Sequence, residues 1–148
     1  MRAMIVGVMV ALGLGVGGCK KDQASTTVPA GESSATEAPT LTIRVRAEDD
    51  GNAKRPFYTV VRTVVLKDFV EDQYEDIVGL VVAPDETVLA SFLVFPGRSA
   101  EVVIAKPEGA VGVYCLLTEA NGTSWKRLFE APEEIAVVVG RDQLVESQ

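Results

Sequence analysis

The period of the hydrophobic pattern constrains this chain more than any other feature. From Leu41 onwards, apolar residues alternate with polar ones, and Leu41, Ile43 and Val45 share one side of the alternation. A period of two is typical of a strand with one buried and one solvated face. Further short apolar runs follow as far as Val139, separated by turns rich in proline, glycine and asparagine. The pattern predicts a mainly β protein, a β-sandwich of about seven to eight strands.

Some of the runs predicted as strands carry additional information. The second run is apolar on both faces, which is typical of a central strand. The fifth run ends before Asn121-Gly122, a strong short signal for a hairpin turn, and the sixth run follows it. The predicted strands are Leu41–Arg46, Phe57–Leu66, Phe92–Phe95, Glu101–Lys106, Ala110–Glu119, Ser124–Phe129 and Glu134–Val139.

A predicted helical insertion interrupts the β pattern after the second strand. Its apolar residues recur at helical spacing, and Asp68 and Glu71 are placed like a capping pair at the start of a helix. Pro84, followed by two acidic residues, predicts the first turn of a second short helix. We expect the acidic side chains of the insertion to lie on a solvated face, rather than to form a catalytic pair or a calcium site. The apolar residues are Val70, Tyr74, Ile77, Val78 and Val81.

The amino terminus predicts a lipoprotein. A positive charge at Arg2 precedes an apolar stretch that ends at residue 18, which is short for a membrane-spanning helix and typical of a secretory leader. Residues 16–19, Val-Gly-Gly-Cys, resemble the lipobox of bacterial lipoproteins, in which the cysteine is acylated and becomes the first mature residue. We expect residues 1–18 to be a signal peptide and Cys19 to be lipidated. The alternatives are an uncleaved anchor and an ordinary leader with an incidental cysteine.

The composition then changes to that of a linker. Residues 20–40 consist mainly of Ser, Thr, Ala, Pro, Glu and Gln, with almost no large apolar side chain. Such a segment buries too little surface to offset its ordering entropy. We therefore expect residues 19–40 to be the lipidated cysteine and a disordered tether, which as a flexible chain would span about 25 Å. Residues 41–148 are expected to form the β-sandwich domain.

The composition also argues against an enzyme and against a metal or cofactor site. The chain has no histidine, which removes the commonest general base and a common metal ligand. Its formal net charge of −7 disfavours non-specific binding to nucleic acid. The Asp49–Asn52 segment lacks the alternating ligands of an EF-hand loop and is expected to be a plain turn. Cys115 and Trp125 lie in strand-like runs, so we expect a buried, inert thiol and an indole that packs in the interior.

The order of these features resembles the TssJ family, the outer-membrane lipoproteins of the type VI secretion system. The resemblance rests on the lipobox at Cys19, on a loop with Gly51 and Pro56, and on the run Val61–Asp68 that leaves the second strand. It implies a transthyretin-like β-sandwich with a small helical insertion after the second strand, and a docking subunit without a cofactor rather than an enzyme. Further matching positions are Phe69, Tyr74, Pro96-Gly97, Gly112-Val113 and Trp125-Lys126.

The same resemblance implies a location and a partner. TssJ-like lipoproteins are anchored in the outer membrane, face the periplasm and bind the periplasmic C-terminal domain of the inner-membrane protein TssM. The family's contact element is the loop between the first two strands, which corresponds to Glu48–Arg55. The alternative is a generic periplasmic sandwich lipoprotein that binds a small ligand or a glycan. The predicted partner-binding residues are Asp49, Asp50, Gly51, Asn52, Ala53, Lys54 and Arg55.

Overall fold

Two four-stranded sheets dominate a computed structural model that describes residues 38–146. The predicted signal peptide, Cys19 and nearly all of the predicted tether lie outside the described residues. The strands are β1 (Thr40–Ala47), β2 (Phe57–Thr63), β3 (Val88–Val94), β4 (Ser99–Ala105), β5 (Val111–Cys115), β6 (Lys126–Phe129), β7 (Glu134–Val139) and β8 (Leu144–Glu146). A helical turn, α1 (Gly51–Lys54), joins β1 to β2, and the helices α2 (Leu66–Glu71) and α3 (Tyr74–Val82) lie between β2 and β3.

The strand order confirms the predicted β-sandwich. Sheet A has the order β4-β1-β7-β8 and sheet B the order β3-β2-β5-β6. The neighbours β1 and β7 are parallel, and the other neighbouring strands pair antiparallel. The strand β2 lies between β3 and β5, as its two apolar faces predicted. It ends at Thr63 rather than at Leu66, because the chain turns away and Leu66 begins α2.

Alternating side chains fill the space between the sheets. Leu41, Ile43 and Val45 of β1 are fully buried, which confirms the alternation predicted for the first strand. Each such side chain contributes about 1.5–3 kcal/mol when it leaves water. Other members of this inner core are Phe57, Val61, Val94, Val111, Val113, Cys115, Ile135, Val137 and Val139.

The connection between β5 and β6 is longer than the predicted two-residue turn. The two strands pair as a hairpin, but β5 ends at Cys115 and β6 begins at Lys126, so the predicted turn lies within a loop. The chain leaves the ladder early because Leu117 turns inward and is buried. Trp125 is buried directly before β6, which agrees with the interior role predicted for it. The three-residue strand β8 was not among the predicted runs.

The helical insertion is present, but the single helix predicted across Val70–Val81 is broken between α2 and α3. The break falls at Asp72, whose carboxylate accepts a hydrogen bond from the hydroxyl of Tyr114 in sheet B. The predicted capping pair is wrong, because Asp68 and Glu71 lie inside α2. That helix begins where the chain leaves β2, so the end of the strand and not a capping side chain sets its start.

The break also changes which apolar residues face the sheet. Tyr74, Ile77 and Val81 pack on sheet B as predicted, and Ile77 is fully buried. Val70 lies in α2, on the other side of the break, and is 66% exposed. Val78 is 40% exposed because it follows Ile77 directly and so points away from the face of α3 that packs on the sheet. No helix within residues 38–146 combines the length and the apolar character needed to cross a bilayer.

The second predicted helix, at Pro84, is wrong. The carboxylate of Asp85 accepts hydrogen bonds from the Thr87 N–H (2.9 Å) and hydroxyl (2.6 Å), and these bonds close a turn in place of a helical start. The same bonds hold the pKa of Asp85 below its usual value. The apolar residues that follow, which begin at Val88, extend as β3 and pair with β2.

A second cluster lies on the outer face of sheet B, beneath the helices. We call this cluster the outer core; its buried residues are Val60, Ile77, Tyr114 and Trp125. The rings of Tyr114 and Trp125 lie 5.7 Å apart. Tyr114 lies close over Gly112, where a Cβ atom would stand 2.6 Å from a carbon of the ring. A residue without a side chain is therefore needed at Gly112 for Tyr114 to reach α2.

The sandwich has two ends, and the chain joins it at one of them. At the start of β1, the Lys106 N–H donates to the carbonyl of Pro39 (2.9 Å), and we call this the entry end. At the opposite end, the Gly97 N–H donates to the carbonyl of Glu48 (3.0 Å), and the Glu48 N–H donates to the carbonyl of Val139 (2.9 Å). We call this the loop end. The eight residues of β1 place the two ends about 25 Å apart.

We expect Gly112→Ala to destabilise the protein by about 1–3 kcal/mol, because the new methyl group displaces the Tyr114 ring from the outer core. Gly79→Ala in α3 is the matched control, since its Cβ would meet nothing within 4 Å. The control should stabilise by about 0.5–1 kcal/mol through helix propensity. Urea unfolding of the two variants and the parent chain measures both changes. Equal effects of the two substitutions would contradict the packing of Tyr114 on Gly112.

Candidate functional site

The loop predicted to bind a partner, Glu48–Arg55, has an unusual backbone. Within α1, the φ angles of Asn52, Ala53 and Lys54 are 47°, 51° and 65°, so the turn is left-handed. This conformation costs about 1–2 kcal/mol for each residue other than glycine, although asparagine tolerates it better than most. Contacts with the rest of the domain must therefore hold the loop in this shape.

Asn52 supplies the most extensive of these contacts. Its side chain is buried; Oδ1 accepts a hydrogen bond from the Thr118 N–H (2.6 Å). Its amide nitrogen donates to the carbonyls of Arg55 (3.1 Å) and Pro56 (3.2 Å), and its own backbone N–H donates to the carbonyl of Gly140 (3.1 Å). Thr118 follows sheet B, whereas Gly140 follows β7 of sheet A. Asn52 therefore links the two sheets at the loop end.

Gly51 lies at the base of the loop. A Cβ atom there would stand 3.0 Å from the carbonyl oxygen of Val139 and 3.2 Å from the Cβ of Ala47. A side chain there would fit only if the neighbouring backbone moved by a few tenths of an ångström. Gly51 and Asn52 thus support the loop from inside, and the local sequence did not reveal this because their partners are distant along the chain.

The other residues of the predicted contact set are more accessible. Asp49, Asp50, Lys54 and Arg55 are exposed, and Ala53 is half-buried. None of the four charged side chains forms an ion pair with another residue of the described range 38–146. The loop therefore presents charges of both signs, on a backbone that is fixed to both sheets.

A lysine from sheet B anchors the helical insertion. The Nζ of Lys126 donates to the carbonyls of Phe69 (2.6 Å) and Asp72 (2.9 Å), at the end of α2, and lies 5.0 Å from the centre of the Phe69 ring. A cation is favourable there because the carbonyls at the end of a helix carry partial negative charge. Burial lowers the pKa of Lys126, and the carboxylate of Asp72 opposes that shift.

The Asp72 carboxylate completes this anchor. The Tyr114 hydroxyl donates to Oδ2 (2.5 Å), and Nη1 of Arg62 lies 3.3 Å from Oδ1. Burial, and then the hydrogen bond to Asp72, raise the pKa of Tyr114, so the phenol remains protonated at neutral pH. The side chain of Asp72 is 11% exposed, and for this residue the predicted solvated face is wrong. These polar groups bind one another and hold the helices on the sheet.

Cys115 is a free thiol inside the inner core, as predicted. Its Sγ lies 3.7 Å from the hydroxyl oxygen of Thr59. Burial raises its pKa to about 12, so it carries almost no reactive thiolate at neutral pH. No group of three or more His, Cys, Asp or Glu side chains within residues 38–146 is placed to hold a metal ion.

Comparison with protein families supplies the decisive observation. The family described as "IglE, N-terminal domain" matches residues 58–140, which is more than half of the 148-residue chain. The chain belongs to the IglE family. This is a lipoprotein family related to the type VI secretion system. The match spans β2 to β7 and does not include the Glu48–Arg55 loop. None of the curated proteins matches the sequence.

Solved structures of secretion-system proteins share the fold of this IglE-family chain. Lip of Serratia marcescens, described as a membrane-bound component of the type VI secretion system, has a TM-score of 0.60 at 16% identity, covering 75% of this chain and 97% of its own. The lipoprotein TssJ1 of Pseudomonas aeruginosa has a TM-score of 0.57 at 12% identity, covering 75% of this chain and 98% of its own. A structure described as the TssM C-terminal domain from EAEC has a TM-score of 0.58 at 17% identity, covering 74% of this chain and 98% of its own.

These likenesses establish a common fold at low sequence identity. They confirm the resemblance to TssJ lipoproteins at the level of the β-sandwich. Lip and TssJ1 are structural secretion-system proteins and not enzymes, in agreement with the expectation drawn from the missing histidine.

The raised pKa of Cys115 predicts a stability that depends on pH. The thiol titrates near 9.0 in the unfolded chain and near 12 in the folded one, so its contribution is complete below pH 9 and is lost as the pH rises towards 12. Within that window the loss is about 1.4 kcal/mol per pH unit. Urea unfolding of the full chain should therefore show a loss of about 1.4 kcal/mol in total between pH 8 and pH 10, most of it above pH 9. Cys115→Ala should remove it, and an unchanged slope in the variant would contradict the burial of the thiol.

Proposed function

We propose that this chain is a lipoprotein of a type VI secretion system that is anchored in the outer membrane through acyl chains on Cys19. Facing the periplasm, it docks the periplasmic domain of a TssM-like inner-membrane protein. Membership of the IglE family and the fold shared with Lip and TssJ1 support the secretion-system part of the proposal. The description of one neighbour as a TssM C-terminal domain supports the choice of partner.

The observation that carries the docking proposal is the position and rigidity of the Glu48–Arg55 loop. A chain that arrives from Cys19 joins the sandwich at the entry end, and the loop lies about 25 Å away at the opposite end. Asn52 fixes the loop to both sheets, so its exposed charges are already in place before a partner arrives. A preformed loop binds with a smaller loss of conformational entropy than a mobile one.

The anchor reduces the affinity that the docking contact requires. Two proteins anchored in facing membranes are confined to the periplasm, which raises their effective concentration. A contact made by a few charged side chains then gives a stable assembly, although the same contact would be weak between free proteins. The exposed residues Asp49, Asp50, Lys54 and Arg55 are suited to such a contact.

The loop is tested with point substitutions, since deleting it would remove the Asn52 hydrogen bonds along with the exposed charges. We expect Lys54→Glu with Arg55→Glu to weaken binding to the periplasmic domain of the TssM-like protein about ten-fold or more, because two cations of the contact become anions. The measurement is the Kd of the full chain in detergent, determined by biolayer interferometry.

Lys67→Glu is the matched control for this experiment. Lys67 is an exposed cation of α2, outside the loop. The control should bind as tightly as the parent chain. The test variant reverses two charges and the control reverses one, so a loss of binding free energy about half as large in the control would mean that net charge, rather than the loop, governs binding.

The anchor is tested through the cysteine. Cys19→Ser should abolish incorporation of labelled palmitate and move the protein from the membrane fraction to the soluble periplasmic fraction, because the acyl chains supply the membrane affinity. The Cys115→Ala variant, which changes the other cysteine, should still be labelled. Labelling of the Cys19→Ser protein would refute the assignment of the lipidation site.

A further inference from the structure

The strand β3 is an edge strand without the usual protection. It lies at one end of sheet B, and no described strand pairs with its outer side. Its seven residues, VLASFLV, include no charged side chain and no proline. The other edges are protected: β4 carries Glu101, β6 carries the exposed Arg127, and β8 is three residues long. Exposed strand edges readily pair with a strand from another chain, and proteins usually block them with charges or proline.

The pairing of sheet B shows which backbone groups of β3 face outwards. The carbonyl of Tyr58 in β2 accepts a hydrogen bond from the Leu116 N–H (2.8 Å), so the backbone groups of Tyr58 point towards β5. Leu93 is opposite Tyr58 and Ser91 is two residues before it, so their N–H and C=O groups point away from β2. Ser91 and Leu93 therefore present their backbone groups at the open edge of the sheet.

An apolar patch lies beside this edge. Tyr58, Leu93 and Phe95 are 44%, 40% and 50% exposed. Tyr58 and Leu93 are register partners on the outer face of sheet B, and Phe95 follows Leu93 by two residues. The helices cover this face around Val60 but leave the patch open. Aromatic residues of this kind contribute strongly to binding when a partner removes them from water.

The patch is continuous with the proposed docking loop. Phe95 leads into Pro96-Gly97, and the Gly97 N–H donates to the carbonyl of Glu48 at the start of the loop. Arg55, at the other end of the loop, is exposed and lies three residues before Tyr58. One partner can therefore cover the edge, the patch and the loop together.

We propose that an extended segment of the TssM-like partner adds to the open edge of β3 at Ser91 and Leu93 and covers Tyr58, Leu93 and Phe95. This inference rests on the proposed function and specifies how its contact is made. The partner's backbone bonds to the strand edge, and its apolar side chains bury the patch. A second copy of the chain is a less suitable occupant, because the net charge of −7 makes copies repel one another.

The first test removes one backbone N–H that faces away from β2 and leaves the apolar patch unchanged. Ser91→Pro eliminates the backbone donor that points away from β2, and proline is tolerated on an edge strand when its nitrogen faces solvent. Ser91→Ala is the matched control, which keeps the donor. Binding of the full-length proteins to the TssM-like periplasmic domain should weaken about ten-fold in the proline variant and remain unchanged in the control. Circular dichroism establishes that both variants are folded.

The second test changes the patch and does not depend on proline. Tyr58→Ser with Leu93→Ser should also weaken binding about ten-fold. Val65→Ser with Leu66→Ser is the control, because these two side chains are more exposed, at 62% and 61%, and lie outside the patch. The control should bind as the parent chain does. This pair of variants decides the question even where Ser91→Pro does not fold.

The outcomes separate the inference from the proposed function. Weaker binding in both test variants with intact controls supports the β3 edge as the docking site. Unchanged binding in the test variants overturns it and leaves the proposed function standing. A parent chain that does not bind the TssM-like domain overturns both. A dimer of the parent chain in light scattering, lost in Ser91→Pro while partner binding persists, overturns it in favour of self-association.

Discussion

Sheet B has apolar residues on both faces, and the need to cover both faces governs the rest of the structure. Sheet A covers the inner face, where Val61 and Val113 are fully buried. The helical insertion covers the outer face around Val60 and Tyr114. The insertion is too short to reach the whole face, and the uncovered part around Tyr58 is where we place the partner. Fold and proposed function thus depend on the same constraint.

Two polar side chains fix the positions of segments that apolar packing alone would not orient. Lys126, which is buried, donates to the carbonyls of Phe69 and Asp72 at the end of α2. Asn52 does the same at the loop end, where it satisfies groups from both sheets. A buried polar group without a partner costs about 1–3 kcal/mol, so each contact strongly favours one geometry. The first fixes the helices and the second fixes the loop.

The predictions that succeeded relied on patterns within a few residues. The strand at Leu41 and the central position of β2 were predicted correctly, because the burial of one or both faces of a strand determines which of its residues are apolar. The predictions that failed depended on distant partners. Pro84 looked like a helical start, but pairing with β2 drew the residues after it into β3. Asp72 looked solvated, but Tyr114, 42 residues further along, binds its carboxylate.

The sequence alone determined the class of fold, the positions of most strands along the chain, the presence of a helical insertion and the absence of histidine chemistry. It also indicated the loop between the first two strands, through resemblance to a family. Only the tertiary structure decided that Gly51 and Asn52 are buried at the base of that loop and that no described strand pairs with the outer edge of β3. The reason is physical: a local pattern records which face of a segment is apolar. Which distant group covers that face, or leaves it uncovered, is decided only when the sheets and helices pack together.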